Sequence, residues 1–389
     1  MVPKPQVRIA FYNDSPIFGG HEVMTIRGVR ALAQDGRFEI HFLYSRDNRR
    51  LGEALQGIRD TLGAGDAERM VAVPTDFTSR KLDALRNFVS RGRANLLAEQ
   101  LREVAPALLV VAQGDIESGC LAFFAARKSG VRCVSYIPIP HRLSDMGAAL
   151  APMRDTINAP LFRIPEAFIT ISRTMKRKLR DRGVDQPIHV VFNGIDAGRF
   201  TASDQAAERE ALGLPPDVKI AGMAGRIEFN QKCQDLLLGA LAHVPDWHAA
   251  FVGEGPDEPK LRRLPNELGI DESRVHFLSW SDRPEHFFRA IDLLTLPSRY
   301  EGFPLVMLES VCCGTPVVAS DADGMSEFLP KIWRFPKGDA AALGKILREF
   351  SAEGYAAETG RLREDVMARM TKASFAAGFV ETIAELVER

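Results

Sequence analysis

The sequence predicts an α/β chain of two Rossmann-like domains in tandem, each a parallel sheet with helices on both faces. Three observations predict it. Short apolar runs alternate with helix-patterned segments, and a β-α-β-α order is what parallel sheets covered by helices require. The chain has 389 residues, long for one hydrophobic core. The alternation weakens at "NGIDAGRFTASDQAAEREALGLPPD" (193–217), a polar stretch that reads as the inter-domain connection.

The first series opens with "VRIAFY" (7–12), a buried strand, followed by "HEVMTIRGVRALAQDG", a helix ending near Gly36. "FEIHFLY", "ALLVVA", "RCVSYI", "AFITIS" and "IHVVF" repeat the strand type. "SRKLDALRNFVSRGRANLLAEQLREV" and "SRTMKRKLRDRG" carry helical patterns between them. The second series has "KIAGMAG", "HAAFVG", "VHFLSW", "DLLTLP" and "PVVAS" as strands. The last segment places Phe375, Phe379, Ile383 and Leu386 at helical spacing, so this tail packs on one of the domains.

Composition narrows the class. A formal net charge of -1 gives no global field for nucleic acid. Five cysteines lie without a Cys-x-x-Cys pair, as expected of reduced thiols rather than a disulfide frame or zinc site. "MVPKPQVRIAFYND" lacks the apolar segment and cleavage site of a signal peptide, and no run approaches the ~18 apolar residues of a membrane span. The expected location is cytoplasmic, with peripheral contact at the inner membrane face left open.

Open parallel sheets bind ligands outside the carboxyl ends of their strands. After the first strand, Gly19 and Gly20 precede a helix whose first amides attract an anion; a structural turn explains them equally well. The pattern is not the Gly-x-Gly-x-x-Gly dinucleotide fingerprint. His141 follows "RCVSYIPIP" and is either a cleft-facing donor or a loop histidine. In "GRIEFNQK", Arg226 and Lys232 offer two cations suited to a diphosphate, or two solvated loop charges. Gly253 and Gly255 permit close backbone approach after another strand.

"LLTLPSRYEGFPLVMLESVCCG" reads as strand, loop and helix, with Pro304 in the first turn and Gly314 at the C-terminal cap. Glu301 lies before the helix and Glu309 about five residues inside it, roughly 7–8 Å along the axis. The amides around Gly302, Phe303 and Leu305 belong to a helix N-terminus and can hold a phosphate. A capping carboxylate and an exposed helix charge are the alternative reading, but Glu309 interrupts an apolar run, which that reading must also explain.

"EGFPLVMLE", a Glu-x7-Glu motif, together with "GRIEFNQK", "VGEGP", "NGID" and "GTPVVASDADGMSEFL", resembles the retaining glycosyltransferases of family 4, which have the GT-B fold. The N-terminal half resembles them through "FGGHE", "PHR" and "ISRTMKRKL". The resemblance implies an N-terminal acceptor domain, 1–196, joined by a crossing C-terminal helix, 374–389, and a donor domain, 197–373. It implies a catalytic set of Glu301, His141, Arg226 and Lys232. Glu301 would contact the donor sugar, His141 would face it, and the two cations would neutralise the diphosphate. The implied donor-binding set is Gly19, Gly20, Gly253, Gly302, Phe303, Leu305 and Glu309, with Glu309 on the ribose hydroxyls. The Arg226–Lys232 spacing is one residue longer than the commonest family spacing, and Cys233 stands where a small or polar residue is usual. "DAD" (321–323) looks like the Asp-x-Asp metal motif of the other major glycosyltransferase fold, but its place after a strand of a GT-B-like chain gives it no metal role. No cofactor is expected.

The expected reaction moves a hexose-type sugar from a UDP or GDP donor to an acceptor hydroxyl with retention, in glycan, glycolipid or metabolite synthesis. An oxocarbenium-like transition state would leave negative charge on the diphosphate. A nucleotide-sugar epimerase or hydrolase of the same fold is the main alternative, with a dehydrogenase and a non-catalytic scaffold behind it. The expected partners are the donor and a carbohydrate, lipid-linked or small-molecule acceptor. Basic residues in the two N-terminal helical segments suit either anionic lipid or a solvated face.

Overall fold

A computed structural model describes residues 7–63, 67–89 and 92–389. The chain forms two compact units, Met1–Gly194 with Lys372–Arg389, and Ile195–Thr371. Among the described residues the first holds seven strands: β1 Val7–Asn13, β2 Phe38–Ser45, β3 Met70–Thr75, β4 Leu108–Ala112, β5 Cys133–Tyr136, β6 Ala167–Thr170 and β7 Ile188–Val190. Their order across the sheet is β3-β2-β1-β4-β5-β6-β7. The second holds β8 Lys219–Ala224, β9 Trp247–Val252, β10 Val275–Leu278, β11 Leu293–Leu296, β12 Val317–Ser320 and β13 Arg334–Phe335, in the order β10-β9-β8-β11-β12-β13.

Every ladder is parallel. Ile9 sits opposite both Ile40 and Leu108, and Ala221 opposite both Ala249 and Leu293. The central strands are buried on both faces: Ile9, Ala10, Phe11 and Tyr12 have no exposed surface. That explains why β1 reads as a continuous apolar run rather than an alternating one. In each sheet the order reverses beside the first strand, between β1 and β4 and between β8 and β11. Connections leave in opposite directions there and open a crevice at the strands' carboxyl ends.

The helix Lys372–Glu388 completes the first unit. Phe379 stacks on Phe11 and meets Tyr136 edge-on, with ring centroids 6.5 and 5.5 Å away. Arg132, paired with Glu166, donates to the Leu386 carbonyl at 2.9 Å and so satisfies the helix's C-terminal end. The close fit depends on Gly28 in the helix Gly20–Asp35, where a Cβ would lie 2.7 Å from the Phe379 ring.

Three local expectations change. β3 and the two-residue β13 were not legible as strands. The segment 79–104 forms two helices, Asp83–Val89 and Gly92–Val104, whose junction at 90–91 falls outside the described residues. The polar stretch 193–217 is not all connection. It contains the helix Gln205–Leu212, capped by Asp204 and closed by left-handed Gly213. Its polarity points inward: buried Arg209 donates to the carbonyls of Pro216, Val218 and Ala290 and pairs with Asp292 at 2.7 Å.

Gly28→Ala tests the packing of the last helix. Alanine in place of a mid-helix glycine ordinarily stabilises by about 0.5–1 kcal/mol. Here overpacking against Phe379 should reverse the sign and cost about 1–3 kcal/mol in denaturant unfolding, with Phe379→Leu restoring part of the loss.

Candidate active site

The β8/β11 crevice of the second unit gathers most of the candidate residues. β8 ends at Ala224, and the chain continues through Gly225 and Arg226 to Lys232. β11 ends at Leu296 and leads to Glu301 and the helix Leu305–Cys312. The two loops are joined by backbone, since the Arg299 amide donates to the Gln231 carbonyl at 2.8 Å.

Their side chains meet as well. Lys232 Nζ lies 2.5 Å from Glu301 Oε1, and the Ser298 hydroxyl donates to the same oxygen at 2.8 Å. The Glu301 side chain is only 7% exposed and that of Lys232 25%. A carboxylate this deep requires a paired cation and hydrogen bonds, and both are present. The Glu301 amide donates to Asp323 Oδ2 at 3.0 Å, which fixes the backbone from the β12 side. Asp323 adopts a left-handed φ of 51° to reach it, a conformation Asp tolerates better than most residues.

Glycines set the spacing of these loops. A Cβ on Gly253 would lie 1.9 Å from the Gly225 carbonyl oxygen, and one on Gly324 would lie 1.9 Å from that of Gly302. The approach Gly253 permits is thus to a neighbouring loop. Buried Gln234 clamps the Arg226–Lys232 segment, donating to the Arg226 carbonyl at 2.9 Å and accepting from the Glu228 amide at 3.2 Å.

Arg226 differs from Lys232. Its side chain is nearly half exposed and reaches Glu228 only at 3.5 Å, so its guanidinium fork faces outward. Phe303 is buried edge-on against Phe328. Glu309 is half-buried on the helix, whose first residue is Leu305. Pro304 stands at the N-cap with extended backbone, one position earlier than expected, and its carbonyl accepts from Met307. Gly314 closes the helix with a φ of 84°. Of the "DAD" carboxylates, Asp321 pairs with Arg334 and Asp323 holds Glu301.

The first unit carries the other candidates at the carboxyl ends of its own strands. Gly19 is the N-cap of the helix Gly20–Asp35, and its amide donates to Glu22 at 2.9 Å. Asn48 Nδ2 donates to the carbonyls of Ser15 and Ile17, both at 3.0 Å, holding the preceding loop. Neither glycine has a positive φ, and a Cβ on Gly20 would meet nothing within 4 Å. His141 is buried, in a loop fastened by Asp155, which accepts from the Leu143 and Ser144 amides at 2.8 and 3.1 Å.

The first unit also holds a buried polar group the sequence did not announce. Asp14 accepts from the Gly119 amide at 2.8 Å and from the Tyr12 hydroxyl at 3.2 Å. Burial, then the nearby Asp83 carboxylate, pushes its pKa up to about 7. All five cysteines are buried. Burial raises every thiol, those of Cys133 and Cys313 to about 12 and Cys312 to about 11.

Residues 18–199 match the family described as Glycosyltransferase Family 4, and residues 218–352 the one described as Glycosyl transferases group 1. A curated relative, the D-inositol 3-phosphate glycosyltransferase of Mycolicibacterium gilvum, is 42% identical over 146 residues. That stretch is 36% of this chain and 32% of the relative, so the match spans about a third of the relative's length. Among solved structures, Anabaena Alr3699/HepE in complex with UDP and glucose superimposes with a TM-score of 0.79 at 19% identity, covering 98% of this chain and 100% of that one. Sucrose-phosphate synthase from Thermosynechococcus elongatus gives 0.77 at 19% identity, covering 98% and 99%. At that identity the likeness concerns the fold.

The Asp14 carboxyl predicts a pH dependence. Its pKa is higher in the fold than in the unfolded chain, so its contribution to stability is greatest below about pH 4 and is lost as pH rises to about 7. Between those values it should cost about 1.4 kcal/mol per pH unit. Thermal unfolding of Asp14→Asn from pH 5 to 8 should therefore show a flatter decline than the parent; parallel curves would rule the buried acid out.

Proposed function

The chain belongs to the family-4 glycosyltransferases, with the GT-B fold, and from that premise we propose that it transfers a hexose-type sugar from a nucleoside diphosphate to an acceptor hydroxyl, with retention at the anomeric carbon. The observation that carries this reading is the buried Lys232–Glu301 pair beside the exposed Arg226 fork, at the carboxyl ends of β8 and β11. A diphosphate leaving group needs fixed positive charge where its own charge develops. Lys232 has three donors and spends one on Glu301, which leaves it able to bind a phosphate oxygen. Arg226 supplies a planar fork. The Gly302, Phe303 and Leu305 amides add dipoles at the helix entrance. Glu301 is assigned to the sugar hydroxyls and Glu309 to the ribose.

Gly19 and Gly20 are the phosphate candidates of the first unit. Neither backbone strain nor a protein neighbour demands glycine at Gly20, so the space it leaves suits a ligand. Gly253 is assigned to the donor through its amide, and His141 to the sugar. The leaving phosphate takes the acceptor's proton during same-face attack, which removes any need for a covalent nucleophile. Among donors UDP-glucose is the first to test, because Anabaena Alr3699/HepE is described in complex with it. The D-inositol 3-phosphate glycosyltransferase relative puts a phosphorylated polyol first among acceptors.

A thermal-shift panel of UDP-, GDP- and ADP-sugars should give one series that raises the midpoint, because a ligand bound to the native state stabilises it by mass action. Arg226→Ala should lower kcat by about 10²–10³-fold with the fold intact. Lys232→Ala should lower it similarly and also destabilise by about 3–5 kcal/mol, since Glu301 is left buried without its cation. Rates near the parent's in both variants would sink the assignment. Glu309→Ala should weaken binding of the free nucleoside diphosphate about 10–100-fold in calorimetry, with a smaller effect on kcat.

A further inference from the structure

The helix Asp83–Val89 is inside out. Its buried positions are Asp83, Ala84 and Asn87, while Leu85, Phe88 and Val89 face outward at 40%, 45% and 78% exposure. Those three stand at i, i+3 and i+4, so they form one stripe. The inward polar groups are engaged: Asp83 accepts from the Arg80 amide and pairs with Arg86 and Arg93, and Asn87 reaches Cys120. The helix Ala151–Asn158 touches it and repeats the inversion. There Arg154, Asp155 and Asn158 are buried, Arg154 is paired with Glu117, and Leu150 and Met153 lie outward.

An outward apolar stripe on two adjoining helices calls for a covering surface. The charges around the first helix say which kind. Arg80, Lys81 and Arg86 are exposed. From Arg80 to Leu96 the chain's sole acid is Asp83, which is buried. Leu96 adds a further apolar group at 57% exposure. A second copy meeting this face by two-fold symmetry would bring like charges together. A bilayer with anionic headgroups would neutralise the cations and take up the Leu, Phe and Val side chains at the headgroup boundary.

We propose that the first unit docks on an anionic lipid surface through the inside-out helix Asp83–Val89, with Leu150 and Met153 beside it. The inference does not depend on the reaction assigned above. It also separates this face from the helix Arg173–Asp181, whose exposed side carries Arg173, Lys176, Arg177 and Arg180 and no exposed large apolar residue.

The test uses the full chain and sedimentation with phosphatidylcholine vesicles, with and without phosphatidylglycerol. Binding should require phosphatidylglycerol and weaken with salt. The surface double variants Leu85→Ser/Val89→Ser and Arg80→Glu/Lys81→Glu should each lose about tenfold or more in affinity while keeping the parent's unfolding midpoint; Phe88, whose ring also meets Phe124 edge-on, is left in place. Lys176→Glu/Arg177→Glu should lose less. Three results would overturn the proposal: no binding to either vesicle, binding untouched by the Leu85/Val89 change, or a parent dimer in light scattering that this change dissolves.

Discussion

Backbone contacts without side chains between them flank the second unit's crevice. Gly253 lies against the Gly225 carbonyl and Gly324 against that of Gly302. A methyl group at either position would drive the loops apart by more than an ångström, because real Cβ atoms essentially never come within 3.0 Å of such an atom. That spacing packs the β8 loop on the β9 loop and the β11 loop on the β12 loop, and the Arg299–Gln231 backbone bond joins the two pairs. The Lys232–Glu301 pair spans loops after β8 and β11, and Asp323 reaches Glu301 from the loop after β12. A buried ion pair is worth having only where geometry is nearly fixed, since desolvation otherwise outweighs attraction. The glycines supply that fixity, and Gln234 and Ser298 complete it.

Much of the fold was legible because parallel sheets announce themselves. Strands buried on both faces, such as β1 and β4, read as unbroken apolar runs, and glycines at the ends of helices mark their limits. The misses share a cause. β3 is an edge strand containing Pro74, and only its first and last residues are buried, so periodicity has little to grip. The helix Gln205–Leu212 hid in a polar stretch because its buried residues are Glu208 and Arg209. The inside-out helices invert the usual pattern in the same way.

The candidate site was legible in its charges and illegible in its supports. Glu301, Arg226 and Lys232 stand at strand ends, where the topology says to look. Gln234, Ser298 and Asp323 act through one or two hydrogen bonds to backbone or carboxylate, which leave no spacing rule behind. Asp323 was in view only as half of a metal-like doublet. Its fold role depends on a left-handed backbone that no composition reveals. The buried Asp14 belongs to the same class: one carboxyl at the end of the central strand, held by an amide more than a hundred residues away along the chain.

The cysteines carry a practical consequence. All five are buried, their thiols weakly acidic, and they are divided between the units, Cys120 and Cys133 in one and Cys233, Cys312 and Cys313 in the other. A thiol of that kind reacts only when its surroundings open. Alkylation followed by peptide mapping therefore acts as a pair of clocks built into the natural sequence, each timing the breathing of its own unit. A nucleotide held by one unit would slow that unit's clock and leave the other running.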